Sequence, residues 1–572
     1  MKWEVPFFRR RKQPPILQWR LGERMEYSQS RKLLWPVVLA VLVLTSAAIN
    51  VTGTSARATL ALISTAPLPS VYTPSTTYTL SVNGTAVPIN GYTGYDYAQF
   101  SMGSGIAQIV VKKLNGTNVG KALISPMKLG IQATLSHDTA TFTLPGPQYL
   151  IVKLDDQRQI VITADPAETE QLASSGTGTF NVTSPPYRAD SSRGSVTTKA
   201  VQDALNDAST FGSQPGHAAG IVYIPRGVYM VGNLELKSNT SVYLEAGAVL
   251  RVVPDKSLYR TTDAHKNSQN RDLTWWIYTA FGSRNIKLFG RGTLDGNGMA
   301  ATKAGFGMNI LVPIATSNFT LDGLTIRESA SWAVIPVRSN TLQFTNMKIF
   351  NRFDMSEDDG IDVIESQNVT VQRGIGISLD DPYSTKSYTK TSGDITVNWP
   401  GNPEEVKNVK FDDVISWTVC YGFKVGQGVG DNQDNITFQN SVVYDSAVAI
   451  GIDHRAYQAA MTNVTFSNID IEHIDNGNAG NRTWLAFTIE DQANDGAGPI
   501  SGIQVKQINI RDRGTTAGKL TGFSATSNIS KVLFDSIKMP GSTTYATTLT
   551  EMNITNQQFV TGVTIKPTPS NQ

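Results

Sequence analysis

The sequence is poor in the features that mark several other protein classes. It holds a single cysteine, Cys420, which excludes a disulfide framework and which we interpret as a small core residue. The formal net charge is only +2. The nine basic and three acidic residues of positions 1–56 account for that sign, because the remaining chain carries 40 Lys and Arg against 44 Asp and Glu. We therefore expect no basic surface of the kind that nucleic acid requires.

Long apolar runs are scarce as well. The one candidate, residues 33–49, is short for a helix that spans a bilayer. It follows basic residues and precedes small ones, which is the pattern of a secretory signal with a long amino-terminal region. We expect residues 1–56 to be a signal peptide or, as the alternative, an uncleaved signal anchor. The rest of the chain is then exported, with no other membrane contact.

Helical periodicity is nearly absent. Residues 57–166 contain short runs in which apolar and polar residues alternate between Gly, Pro and Asn, which is typical of a small β-sandwich. We expect this domain to be accessory and to pack on or flank a larger one. Residues 167–193, rich in Ser, Thr, Gly and Pro, indicate a linker. A single amphipathic helix is predicted at residues 198–209, where it could cap the open end of a sheet stack.

A strand repeat runs from Gly220 onward, within a predicted domain of residues 194–572. Each unit has a turn residue, often Asn, then an apolar-x-apolar strand and a second short strand, and the clearest copies begin at Asn285, Asn318, Asn340, Asn368, Asn408, Asn435 and Asn463. Repeats of this length indicate a solenoid or a propeller, and units this short disfavour four-stranded propeller blades. We predict an all-β protein: a right-handed parallel β-helix, preceded by the N-terminal β-sandwich, in which stacked coils bury a continuous core.

Six carboxylates are crowded into two short stretches of this repeat. Residues 357–362 read Glu-Asp-Asp-Gly-Ile-Asp, and Asp380 and Asp381 follow. Asp359 and Asp380 are 21 residues apart in the sequence, about one coil, so they should lie on neighbouring strands about 4.7–4.9 Å apart. We expect three carboxylates on an exposed sheet face, which would suit glycoside hydrolysis by an acid and a base. Acidic turns or a calcium site are the alternatives.

The chain from about residue 196 to residue 510 resembles the polygalacturonase family, glycoside hydrolase family 28, and its wider pectin-lyase-like β-helix group. Residues 220–229 are similar to that group's first coil, and residues 357–362 resemble the family's Asn-Thr-Asp-Gly-Ile-Asp motif. Asp380 and Asp381 fall where the family has its Asp-Asp pair. The resemblance implies an inverting hydrolase that uses no cofactor and no metal and acts on a polysaccharide.

The same resemblance implies roles for the individual carboxylates. Asp380 would be the general acid, and Asp359 and Asp381 would hold and deprotonate the attacking water. Asp362 is then a structural or supporting partner. Glu357 and Asp358 are expected at the rim of the site.

Two family motifs are altered. Tyr421 stands where the Gly-His-Gly motif has its His, and Gly451 and Asp453 stand where the Arg-Ile-Lys motif has its Arg and Lys. Those cations would pair with the carboxylate of a uronate sugar. Their loss makes a neutral polymer such as an α-glucan plausible beside a pectin-type galacturonan. The dextranase and α-1,3-glucanase families also resemble this scaffold.

Several side chains are expected to contact the sugar. A set of cations could rebuild an anion site, and aromatic rings near the aspartates could pack on sugar faces. The predicted substrate-binding residues are Tyr421, Lys424, His454, Arg455, Asp362, Trp332 and Tyr383. We interpret residues 382–403, with Lys386 and Lys390, as a polar insertion that forms a wall of the cleft. A polysaccharide lyase and a non-enzymatic carbohydrate-binding β-helix remain as alternatives.

Overall fold

The computed structural model describes residues 59–169, 172–262, 271–389, 396, 398–492 and 494–567. The predicted signal or anchor at residues 1–56 lies outside these ranges, as does Lys390. Within them, no helix has the length and apolar character needed to cross a membrane.

The N-terminal part is built from two sheets that enclose their own apolar core. Its strands are β1 (Ile63–Ser64), β2 (Thr73–Pro74), β3 (Tyr78–Val82), β4 (Thr85–Val87), β5 (Ile89–Gly91), β6 (Asp96–Met102), β7 (Ala107–Lys113), β8 (Ala122–Ser125), β9 (Thr134–Ser136), β10 (Thr139–Leu144), β11 (Tyr149–Leu154) and β12 (Ile160–Pro166). One sheet has the order β2-β5-β6-β12-β11-β8, with β1 added to β6, and the other β4-β3-β7-β10-β9. Buried and less buried residues alternate along β7, because side chains of a strand point to opposite faces.

The rest of the chain forms parallel coils. In order its elements are β13 (Thr179–Asn181), β14 (Ser192–Val196), α1 (Thr198–Gly212), β15 (Gly220–Ile224), β16 (Gly227–Val231), β17 (Leu234–Leu236), β18 (Thr240–Leu244), β19 (Ala248–Val252), β20 (Asp272–Thr279), β21 (Arg284–Gly290), β22 (Thr293–Asp295), α2 (Gly298–Lys303), β23 (Phe306–Val312), β24 (Ser317–Asp322), β25 (Thr325–Arg327), β26 (Asn340–Thr345), β27 (Lys348–Phe350), β28 (Ile361–Ile364), β29 (Gln367–Ile377), β30 (Tyr383–Ser387), β31 (Val406–Trp417), β32 (Tyr421–Val429), β33 (Gln433–Gln439), β34 (Val442–Asp445), β35 (Val448–Ala456), β36 (Met461–His473), β37 (Thr483–Ile489), β38 (Ile500–Ile510), β39 (Gly518–Thr521), β40 (Ile529–Lys538), β41 (Ile554–Gln558) and β42 (Val560–Lys566). Short 3-10 helices lie at Met127–Leu129, Lys256–Leu258 and Ala479–Asn481.

Each coil has three faces. The first and second faces belong to a 20-stranded parallel sheet, in which β24 and β25, then β26 and β27, are successive pairs. The third face is a sheet of order β28-β30-β32-β35-β37-β39-β41, and β17-β20-β23 form its counterpart in the early coils. This is the predicted right-handed parallel β-helix, and the predicted all-β class is confirmed.

The repeat asparagines stack at one corner, as the sequence pattern suggests. The side-chain amide of Asn318 donates to Asn285 at 2.8 Å, and that of Asn435 donates to Asn408 at 2.8 Å. These residues have positive φ angles, which Asn tolerates better than most residues. These stacked asparagines allow the chain to turn at this corner, and the hydrogen bonds between them give their exposed amides partners.

The first coil begins earlier than expected. β13 pairs with β15, and β14 pairs with β16, so part of the predicted linker 167–193 belongs to the 20-stranded sheet. These strands give backbone partners to what would otherwise be an open sheet edge. Helix α1 covers the end of the stack with Val201, Leu205 and Ala208, as its periodicity predicts. The domain boundaries themselves stay a prediction.

The N-terminal sheets pack on the second face of the β-helix. Tyr95, Tyr97 and Tyr149 share a buried cluster with β-helix residues that include Phe350 and Trp417. A buried ion pair, Lys348 with Asp165 at 2.6 Å, crosses the same contact. This contact extends to residues 351–360, which connect strands β27 and β28.

Candidate active site

The carboxylates lie in turns that lead from the second to the third face. Ile361 in β28 pairs with Tyr383 in β30, and the Gly360 N–H donates to the Asp381 carbonyl at 2.9 Å. This register sets Asp359 beside Asp381. A Cβ at Gly360 would lie 2.3 Å from the Pro382 carbonyl oxygen, so the close approach requires glycine.

The predicted trio is brought together, but not on an exposed sheet face. Asp359 and Asp381 are only 3% and 2% exposed, and Asp380 alone of the three is partly exposed. The expectation of an open patch is wrong because the turns fold the carboxylates inward, onto cations from the third face. Burying a charge without a partner is costly, so these cations are needed.

Lys386 supplies the first cation. Its ammonium nitrogen lies 2.8 Å from Asp359 Oδ2 and 2.6 Å from Asp362 Oδ2, and 4.1 Å from the centre of the Trp332 ring. The prediction that residues 382–403 form an insertion is wrong in part, because Tyr383–Ser387 form strand β30 of the third face. The sequence signal for Lys386 was its position 24 residues, about one coil, after Asp362.

Lys424 supplies the second cation. Its ammonium lies 2.8 Å from Asp381 Oδ2 and 3.4 Å from Asp453 Oδ2. Arg455 reaches the same Asp453 oxygen at 2.7 Å and also donates to Gln427. Carboxylates and cations therefore alternate from Asp381 through Lys424 and Asp453 to Arg455. Asp453 is the shared ion-pair partner of Lys424 and Arg455.

The three central carboxyl groups differ in their proton affinity. Burial, followed by the charge of Asp362, raises the pKa of Asp359 well above its usual value despite Lys386. Burial and then Asp381 raise the pKa of Asp380. For Asp381, burial acts in the same direction, but Lys424 and Lys386 outweigh it and the pKa is lowered. The site thus contains two adjacent carboxyl groups, Asp380 and Asp381, whose pKa values are shifted in opposite directions.

Comparison with known proteins identifies the family of this chain. The sequence profile of glycosyl hydrolases family 28 matches residues 217–559, more than half of the chain. The chain belongs to this family. The predicted family and the predicted enzyme class, a glycoside hydrolase, are confirmed.

Named relatives are distant. A probable polygalacturonase of Vitis vinifera is 25% identical over 249 residues, 41% of this chain and 50% of that protein. Exopolygalacturonase B of Aspergillus niger is 24% identical over 330 residues, 48% of this chain and 74% of that protein. The alignment thus spans half the length of the grapevine relative. Dex49A from Penicillium minioluteum shares the fold, with a TM-score of 0.50, 14% identity, and coverage of 88% of this chain and 96% of that chain.

The altered family motifs meet in space. The ring of Tyr421 lies over Gly451, where a Cβ would come within 2.4 Å of two ring carbons. Tyr421 also donates its backbone N–H to Asp381 Oδ1 at 3.1 Å, and Lys424 lies 4.9 Å from its ring centre. The tyrosine and the glycine are therefore one coupled change: the ring fills the space that a side chain at 451 would take.

Three expectations for individual residues are wrong. Tyr383 is 1% exposed and packs inside the coil against Phe411 and Phe423, so it cannot be a sugar platform. His454 is fully buried, with Nε2 at 2.8 Å from the Ala459 carbonyl, and does not face the cleft. Asp358 is fully buried rather than at the rim. Tyr383 and His454 lie in strands whose residues are buried on both faces there, so strand alternation does not predict which side chains reach the cleft.

The other predicted contacts are placed around the trio. Asp362 is buried and accepts from Ser384 and Lys386, which fits its supporting role. A fourth expectation is also wrong: Lys424 is 3% exposed and paired with Asp381 and Asp453, so it does not face the sugar. Tyr421, Arg455 and Trp332 are partly exposed. They therefore stay candidates for substrate contact.

Cys420 lies in the site rather than in the core. One carboxylate oxygen each of Asp380 and Asp381 and the Cys420 sulfur lie within 4.8 Å of one another, close enough to hold a metal ion. Lys424 already contacts Asp381 and would repel a cation. Burial, then Asp381 and Asp380, raise the pKa of the thiol well above its usual value, which keeps it from acting as a nucleophile.

Proposed function

We propose that this chain hydrolyses α-linked glycosidic bonds in a neutral polysaccharide such as an α-glucan. Membership in glycosyl hydrolases family 28 supports a hydrolase that acts on a polysaccharide. The neutral sugar and the roles of the aspartates are finer proposals, which rest on the charges and proton affinities of the site.

The charge balance of the site carries the choice of a neutral substrate. Six carboxyl groups converge there, and their ion pairs involve three cations. The carboxyl groups are those of Asp358, Asp359, Asp362, Asp380, Asp381 and Asp453, and the cations are Lys386, Lys424 and Arg455. Each of these cations already contacts a carboxylate. Among the residues that the structure describes, these three cations are already paired, so a uronate would bring a further negative charge that none of them is free to match, whereas a neutral sugar would bring none.

The proton affinities support a division of labour. Asp380 keeps its proton and gives it to the leaving glycosidic oxygen. Asp381, held ionised by Lys424, takes a proton from water as the water oxygen bonds to the anomeric carbon and the glycosidic bond breaks. Asp359, fixed by Lys386, orients that water. Separating the pKa values of two carboxyl groups is how glycosidases assign acid and base.

Inversion is proposed from the family resemblance and needs its own test. Oxygens of Asp380 and Asp381 lie within 4.8 Å, less than the roughly 6.5–9.5 Å that generally separates acid and base in inverting enzymes. Whether the configuration at the anomeric carbon is inverted therefore depends on the face from which the water oriented by Asp359 attacks. Proton NMR of the first product should show the β-anomer released from an α-linked polymer, and an initial α-anomer would refute inversion.

The substrate is tested by a reducing-sugar screen on dextran, α-1,3-glucan, pullulan, polygalacturonate and rhamnogalacturonan. We expect cleavage of a neutral polymer and none after Asp380→Asn, with the same circular dichroism spectrum. Activity of Asp380→Asn equal to that of the wild type would refute the assignment. If no polymer is cleaved, the hydrolase proposal fails.

A galacturonan is the second candidate, because the grapevine and Aspergillus relatives are named polygalacturonases. Cleavage of polygalacturonate with no action on the glucans would establish it and refute the charge argument. An unsaturated product that absorbs in the ultraviolet would instead indicate a lyase. We also propose that the enzyme acts outside the cell, which secretion of the full chain from its host would test.

A further inference from the structure

Asp358 is a buried carboxyl group that directly holds the backbone of the proposed general acid. Its Oδ1 accepts the N–H of Leu379 at 2.9 Å and the N–H of Asp380 at 3.2 Å, across one coil. The side chain is fully buried, and its Oδ2 has no hydrogen-bond partner among the described residues. In the family's motif this position is a Thr, so the carboxyl group is a feature of this chain.

The carbonyl side of Asp380 is held just as closely. The Ser378 hydroxyl donates to the Asp380 carbonyl at 2.6 Å, and the Thr418 hydroxyl donates to the same oxygen at 2.6 Å. Both peptide groups of Asp380 are therefore fixed from neighbouring coils. The Asp380 carboxyl group itself accepts the N–H of Asp381 at 3.0 Å, so the orientation of the side chain is tied to the backbone that these bonds hold.

The N-terminal domain reaches the same turn. The Asn351 side-chain amide donates to the Asp358 carbonyl at 2.6 Å, and the Tyr95 hydroxyl donates to the Asn351 carbonyl at 2.9 Å. Tyr95 is fully buried against Phe353 and Trp417. Hydrogen bonds therefore link Tyr95 of the N-terminal domain to the proposed general acid through two residues, Asn351 and Asp358.

The chain contains the same device without a catalytic group. Asp445 Oδ1 accepts the N–H of Asp475 at 2.9 Å and of Asn476 at 3.2 Å in a later coil. Fold stability alone can therefore employ an aspartate at this corner. A role in catalysis must show in the chemistry and not only in the stability.

We propose that Asp358 is a positioning residue that aims the Asp380 carboxyl at the leaving glycosidic oxygen, and that the N-terminal domain braces it through Tyr95 and Asn351. This inference rests on the proposed hydrolase function. It gives the N-terminal domain a part in proton donation. Misplacement of a catalytic group by about 1 Å can cost about 100-fold in rate.

The decisive measurement compares leaving groups. The probes are the polymer that the wild type cleaves and the 2,4-dinitrophenyl glycoside of the oligosaccharide that it releases, whose leaving group needs no proton. For Asp358→Ala we expect kcat on the polymer to fall about 100-fold with KM nearly unchanged, and kcat on the dinitrophenyl glycoside to fall only a few-fold. Asp358→Asn should retain most activity, because its amide oxygen can accept the same two bonds.

Asp445→Ala is the matched control. It loses the same pair of backbone bonds and should lower the unfolding midpoint to a similar degree, yet leave kcat on both probes unchanged. Should Asp358→Ala fail to fold, Thr418→Val removes one donor to the Asp380 carbonyl and should show the same dependence on the leaving group with a smaller loss. Tyr95→Phe should show it more weakly still.

The outcomes separate this inference from the proposed function. Equal losses of Asp358→Ala on both probes would indicate a structural role and refute positioning. An active wild type, an inactive Asp380→Asn and a normal Asp358→Ala on the polymer would refute this inference alone. A wild type that cleaves no polymer would overturn both.

Discussion

Replacement of Lys386 by Met should damage both stability and turnover. The Lys386 side chain is 4% exposed, and its ammonium lies 2.8 Å from Asp359 and 2.6 Å from Asp362, so its removal leaves two buried carboxyl groups without their shared cation. Breaking a buried pair by removing one partner costs about 3–5 kcal/mol. A loss of about 4 kcal/mol lowers the folding equilibrium about 1,000-fold, a large part of the usual 5–15 kcal/mol.

The loss should depend on pH in a defined direction. Burial and Asp362 already raise the pKa of Asp359, and without the ammonium it rises further. A carboxyl group whose folded pKa exceeds its unfolded pKa stabilises the fold below the unfolded value and loses that contribution as pH rises through the folded value. The deficit of Lys386→Met relative to the wild type should therefore be largest at neutral pH and shrink towards pH 4.

Urea unfolding at several pH values measures this deficit, and a polymer assay measures turnover. Lys348→Met is the control, because Lys348 is equally buried and lies 2.6 Å from Asp165, at the contact with the N-terminal domain and not in the site. It should lose comparable stability but keep its specific activity while folded. A deficit below about 1 kcal/mol for Lys386→Met at pH 7, or one that grows on acidification, would refute the electrostatic reasoning.

Gly451→Ala should destabilise the protein by about 1–3 kcal/mol, since its Cβ would meet the Tyr421 ring, and the cost should largely vanish in the double variant with Tyr421→Ala; a thermal-unfolding cycle that shows simple additivity would contradict this. The profile of kcat/KM against pH should be bell-shaped. It should fall on the alkaline side as Asp380 loses its proton, at a pKa above the usual carboxyl value, and on the acid side as Asp381 gains a proton, at a pKa below that value. An alkaline limb that persists unchanged in a partly active Asp380 variant would contradict the assignment. Treatment with EDTA should leave turnover unchanged, and loss of activity that calcium restores would instead assign a metal to Asp380, Asp381 and Cys420.

Local sequence pattern was enough to predict the architecture. The recurring Asn and the apolar-x-apolar strands report a period, and a parallel stack is the arrangement that buries such strands and gives each Asn a neighbour. The separation of 21 positions between Asp359 and Asp380 likewise indicated neighbouring coils, and the observed register places Asp359 beside Asp381. The altered positions 421, 451 and 453 were also visible in the sequence, because each can be compared with a motif.

The tertiary structure alone decided how the charges are paired. Coil length varies, so residues that meet can be far apart in sequence: Lys424 contacts Asp381 across 43 positions, and the intervening chain hides that register. It also showed that Lys386 lies in a strand and that Asp358 is buried under Asp380. Electrostatic interactions act through space. The opposite pKa shifts of Asp380 and Asp381 therefore depend on which cation the fold brings within reach, and not on the order of residues along the chain.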